Sequence, residues 1–221
     1  MDTHCDFKFD KDFIDIEGLK YLPWVGKNAL HQKEKIMIIG ESVYNWGKNK
    51  DEIELAKKKL EKNDFARIVV YEHGIENPIT KRKFARNIER TISKEFYSQS
   101  EHQKFWEKIL FHEYVQRPLK NIKERPTNDD YFTGAKVLTS LLKILHPSKC
   151  VFLGTTWSKY MNVKNSIEHY FSIEEVHFQS KINNTYPNIL VIKELNIKIY
   201  FIKHPSSFYT PELWKDFIKN N

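Results

Sequence analysis

The chain reads as an α/β protein whose mostly parallel sheet is covered by helices on both faces, and three observations predict this. Short continuous apolar runs recur: KIMII (35–39), KCVFLG (149–154), NILVIK (188–193) and KIYFIK (198–203). Each is bounded by charge, glycine or asparagine, as buried strands are. Segments with helical periodicity lie between them. The 221 residues are 40% hydrophobic and 29% charged, enough for one domain with a real core and unlike a disordered chain.

The elements follow in order. Residues 1–34 form an irregular arm packed on the domain, with Pro23, Trp24 and Gly26 as turn and packing residues. Residues 35–221 form the single domain, and KIMII is its first strand. DEIELAKKKLEK (51–62) is a helix, acidic at its start and basic at its end as the helix dipole favours. ARIVVYEHG (66–74) reads as a second short strand. In NPITKRKFARNIERTISKEF (77–96), Phe84, Ile88 and Ile92 fall four apart, a helical stripe with a basic opposite face. A strand is predicted over 109–115 in FWEKILFHEYVQRP. PTNDDYFTGAKVLTSLLKILHPS (126–148) is a helix that Thr127 or Asn128 can cap, with Pro147 just past its end. After the strands KCVFLG, NILVIK and KIYFIK, a helix with Pro211 in its first turn closes the chain.

Composition bounds the function classes. The formal net charge of +7 favours polyanionic partners through steering. The basic segments AKKKLEK and TKRKFARNIER are most simply solvated helix faces. Cys5 and Cys150 form no CxxC pair, so no cysteine-held metal or iron–sulfur cluster is expected, and they read as free thiols of a reducing compartment. The first residues, MDTHCDFKFDKDF, do not look like a signal peptide, and no apolar run nears the roughly 18 residues that span a bilayer. The expectation is a cytoplasmic monomer without membrane contact or cofactor.

Topology sorts the histidines. In open α/β sheets ligands bind at the carboxyl ends of the strands. The tripeptide HPS occurs twice. His146 ends a helix and precedes a strand, which places it at the amino edge in a structural role. His204 follows KIYFIK and emerges at the carboxyl edge. Gly40 and Glu41 leave KIMII at that edge, as Gly154 and Thr155 leave KCVFLG. The plain alternative is that Gly40-Glu41-Ser42 is a turn with a helix cap and His204 a surface histidine.

The order GESVY (40–44), ILFHEYVQRP with ERPTNDDYF, LLKILHPSKCVFLGTTW and HPSS (204–207) resembles the uracil-DNA glycosylase superfamily over roughly residues 20–215. LPWVG with GES-x-Y and YVQ is similar to uncharacterised bacterial members. The resemblance implies a three-layer α/β/α sandwich that extrudes a nucleotide from single- or double-stranded DNA and cleaves the base–sugar bond. On that mapping Glu41 or Ser42 orients water and His204 serves the departing base. Gly40, Tyr44, Asn45 and Trp46 shape the pocket, with Tyr44 and Trp46 as stacking partners. Ser206 and Ser207 grip phosphate, flanked by Arg117 and Lys203. The family's proline is Val43 here. The middle-strand asparagine that reads the base is replaced within FHEY, so His112 or Glu113 substitutes, and an ionised glutamate accepts but does not donate.

Two alternatives stand beside it. One is a non-catalytic relative that binds nucleic acid or a nucleotide. The other is a serine esterase with Ser42 as nucleophile and His204 as base. There the orienting acid would fall at Phe201, an apolar strand residue. Trp106 and Trp214 read as packing residues, and Trp157 as packing or pocket lining.

Overall fold

The computed structural model describes residues 1–76 and 83–221. The strands are β1 Trp24–Val25, β2 Ile36–Gly40, β3 Ile109–Glu113, β4 Lys149–Leu153, β5 Ile173–His177, β6 Asn188–Ile192 and β7 Ile197–Ile202. They form one sheet in the order β1-β3-β2-β4-β7-β6-β5. The α-helices are α1 Asp10–Phe13, α2 Lys50–Leu60, α3 Phe65–Val70, α4 Lys83–Ile92, α5 Gln99–Trp106, α6 Asn128–Leu145, α7 Trp157–Ile167 and α8 Pro211–Asn220.

The α/β class holds, with a correction to the sheet. Strands β3, β2, β4 and β7 are parallel neighbours, in register through Ile38↔Phe111, Ile38↔Val151 and Phe152↔Phe201. The other three pairings, β1 with β3, β7 with β6 and β6 with β5, are antiparallel. The reason is visible in the chain. Only Lys193 to Asn196 separate β6 from β7, far too few residues for the crossover a parallel pair needs. Asn196 takes a left-handed conformation (φ 52°) in that turn. The sheet is therefore mixed, and the parallel part is the central four strands.

Alternation along the strands sends side chains to two cores. Met37 and Ile39 pack with Leu138, Leu141 and Leu142 of α6 and Val163 of α7. Ile38 faces the other way, into a cluster with Phe65 of α3, Ile88 of α4, Trp106 of α5 and Trp214 of α8. Trp106 and Trp214 are buried packing residues, as the sequence indicates.

Thr127 caps α6 in a capping box with Asp130. The helix ends on His146 in the left-handed region (φ 46°), on the amino side of β4 and away from the carboxyl edge. The 1–34 arm is more than a wrapping segment, because β1 extends the sheet beside β3. Arg67, almost fully buried, ties the arm down by donating to the Pro23 carbonyl and to both oxygens of Asp10.

The strand expected in ARIVVYEHG is instead α3 followed by a π-helical turn, Tyr71–Glu76. Tertiary contacts overrule the β-branched run here: Phe65, Ala66 and Val70 bury against the sheet while Arg67 is held from the arm. The Phe84, Ile88 and Ile92 stripe lies on α4 as predicted, while the segment's start at 77–82 lies outside the described residues. Helices α5 and α7 and strand β5 were not expected. In β5, Glu174 and Glu175 interrupt the apolar signal on an edge strand.

Candidate active site

The central parallel strands end on one rim. Past β2 and β3 the two chains keep pairing: Tyr114 N–H donates to Gly40 C=O (2.8 Å), Val115 to Glu41 (2.9 Å) and Leu119 to Val43 (2.9 Å). This ledge fixes Glu41, Ser42 and Tyr44. Across the rim, Asn87 of α4 donates to the Pro205 carbonyl (2.7 Å) and pins the turn after β7 that carries His204.

Two cavities meet there, of about 500 and about 800 Å³, and they share Ser42, Tyr44, His204 and Ser206. The smaller has largely apolar walls from Tyr44, Trp46, Phe65, Ile68, Val69 and Phe84, with Glu113 reaching in. The larger combines apolar wall from Leu119, Ile122 and Pro126 with the polar side chains of Glu41, Arg125, Tyr131, Lys159, Asn162 and Ser207. Glu41, His204 and Ser207 thus line one cleft.

Gly40 makes room for Glu113. A Cβ at Gly40 would stand 2.8 Å from the Glu113 Cδ and closer still to Oε2. Glu113 is 6% exposed, and its Oε2 is buried with no hydrogen-bond partner. Burial, reinforced by the Glu41 carboxylate, pushes the Glu113 carboxyl up to about 8, so it is largely protonated at neutral pH. A protonated carboxyl donates as well as accepts, which an ionised one cannot do. His112, the other candidate in this strand, is fully buried, and desolvation lowers it to about 3, leaving a neutral imidazole outside both cavities.

Glu41 is held at both oxygens. The Tyr131 hydroxyl donates to Oε1 (2.8 Å), and the Lys159 ammonium donates to Oε2. The His204 ring lies 5.4 Å from that of Phe84, and its Nδ1 accepts the Ser206 N–H (3.3 Å). That bond leaves the ring proton of a neutral imidazole on Nε2. His204 is exposed at the surface, yet neighbouring atoms crowd its ring; this crowding lowers its pKa, Lys159 lowers it further, and Glu41 opposes them.

The remaining predicted residues divide. Tyr44 and Trp46 line the smaller cavity, and Trp46 stacks on Phe65 (6.1 Å between centroids). Asn45 instead braces the loop, donating to Ile53 C=O and accepting from Gly47 N–H. Arg117 lies outside both cavities, in a two-pronged pair with Asp130 (2.7 Å each) and a third contact to Glu124 (2.9 Å). Lys203 donates to Asn183 C=O (2.8 Å) and also lies outside them. Trp157 is 62% exposed and lines neither cavity. Among the described residues no hydrogen bond joins Ser42 to His204, and Phe201 is buried in β7, so the geometry supplies no esterase triad.

Sequence reasoning missed Tyr131, Lys159, Phe65, Phe84 and Arg125 at this rim. Lys159 did leave a signal: a cation in the first turn of a helix opposes the dipole and calls for a partner. Among the described residues, no group of three His, Cys, Asp or Glu side chains could hold a metal ion, and no helix is long and apolar enough to cross a membrane. No protein-family model matches the chain, and no curated protein matches it.

Proposed function

We propose that the chain is an N-glycosyl hydrolase of the uracil-DNA glycosylase type, an α/β/α sandwich that takes an extruded base from DNA and cleaves its bond to the sugar. The observation that carries this is the smaller cavity: an aromatic-lined pocket with a buried carboxyl whose Oε2 has no partner, beside a cleft holding Glu41 and His204. A flat ring has aromatic partners in this cavity in Tyr44, Trp46 and Phe84. Protonated Glu113 donates to and accepts from the ring's edge, which an asparagine would otherwise do.

In the reaction the C–N bond breaks with its electron pair passing to the base nitrogen. The His204 Nε2–H donates to the charge that develops on the base. The Glu41 carboxylate faces the sugar cation and takes a proton from the attacking water as its oxygen bonds to the sugar carbon; passed to solvent, that proton balances the one the departing base anion takes up. Ser206 and Ser207 meet phosphate. The protein acts as a monomer in the cytoplasm, with DNA as partner and no cofactor.

The test is alkali-revealed strand scission on oligonucleotides carrying uracil and a panel of other altered bases. Wild type cleaves at least one, and Glu41→Ala and His204→Ala lose the activity while keeping the far-UV circular dichroism of the fold. A binding-only relative is favoured by one observation, that both Glu41 oxygens are already engaged. It is the outcome if no lesion is cleaved while salt-sensitive DNA binding persists.

A further inference from the structure

Lys159 stands where a lysine is poorly placed. It is the third residue of α7, at the positive end of the helix, and its side chain is 27% exposed. Its stem crosses the end of β4, where a Cβ on Gly154 would meet the Lys159 Cδ at 3.2 Å. Its ammonium lands on Glu41 Oε2, opposite the Tyr131 hydroxyl on Oε1. The side chain therefore spans from one parallel strand end to the next and reaches a carboxylate that is 10% exposed. A solvated surface lysine would need none of this.

We propose that Lys159, with Tyr131, is a positioning residue that clamps Glu41 in the cleft that Glu41 and Lys159 share with His204. The clamp uses one direction on each Glu41 oxygen and leaves the others for water. The charged groups acting on His204 are Lys159 from α7 and Glu41 from the β2 end, with opposite effects. The Phe84 ring and the Ser206 N–H pack on it; Glu113, Glu72, His73 and Lys59 line one of the two cavities it borders, and Glu124 and Arg125 line the other with Glu41 and Lys159. Any effect of this clamp on turnover rests on the glycosylase reading. Its effect on His204 does not.

The experiment is an NMR titration of the His204 ring in the full chain, the signal assigned by its loss in His204→Gln. Lys159→Met removes the cation and leaves the Glu41 carboxylate unpaired in the same cleft, so the midpoint rises. Glu41→Gln leaves Lys159 unopposed, so the midpoint falls. Lys159→Arg keeps the charge and returns the midpoint toward wild type. Opposite shifts in the two neutral variants support the proposal, and a midpoint unmoved in whichever of them folds overturns it. If wild type cleaves a base, Lys159→Met lowers kcat about 10- to 100-fold with KM nearly unchanged. A drop confined to KM would overturn the positioning role while leaving the glycosylase reading intact. Absence of cleavage by wild type would sink that reading and leave the titration decisive for Lys159.

Discussion

Glu113→Gln separates the cost of a buried acid from its use. The wild-type carboxyl is raised from 4.5 to about 8, chiefly by burial and then by Glu41. Between those values the folded protein keeps a proton that the unfolded chain has released. The unfolded state thus binds fewer protons, and stability falls as pH rises from about 4.5, levelling off above about 8. At about 1.36 kcal/mol per unit, the penalty at pH 7 is about 3 kcal/mol. At 6% exposure, solvent screening removes little of it. Glutamine fills the same space and never ionises. Urea unfolding of both proteins, followed by circular dichroism, should show the variant gaining about 3 kcal/mol on wild type between pH 5 and pH 8. Parallel stability curves across that range would falsify the protonated-carboxyl assignment, and with it the donor role at the cavity wall.

Other consequences can be measured separately. Gly40→Ala should cost about 2 kcal/mol, because the backbone tolerates alanine but the new Cβ meets Glu113. In a Glu113→Ala background that cost should nearly vanish, and a double-mutant cycle by urea unfolding reads the coupling. Thr127→Ala removes the capping box of α6 and should lower stability by about 1 kcal/mol in the same assay. Affinity for a lesion-bearing single strand, measured by fluorescence anisotropy, should fall with salt, each neutralised phosphate adding about −0.7 to the log–log slope. A flat dependence would rule out backbone contacts.

How much was legible follows from which physical signal each feature leaves. Strands buried on both faces, such as β2, β4 and β7, announce themselves as apolar runs, and their polar followers then fall on one rim by topology alone. That logic brought Glu41 and His204 together from positions 163 residues apart in the chain. It failed for Ile68 and Val69, whose β-branched side chains sit in a helix because Phe65 and Arg67 are held by distant partners. The same error hid one wall of the smaller cavity. Arg117 illustrates a different limit, since a cation next to a predicted rim looks free until Asp130 and Glu124 are seen to hold it. Glu113 was legible as a candidate but not as a donor, because its protonation depends on burial and on the absence of a partner for Oε2.

Mass spectrometry of the products in ¹⁸O-labelled water tests the central claim most directly. Incubation with a uracil-containing oligonucleotide should release unlabelled free base and place one ¹⁸O on the sugar carbon. His204→Ala should abolish both signals. Label appearing in the base, or no base released from any lesion by the folded protein, would contradict hydrolysis at this rim.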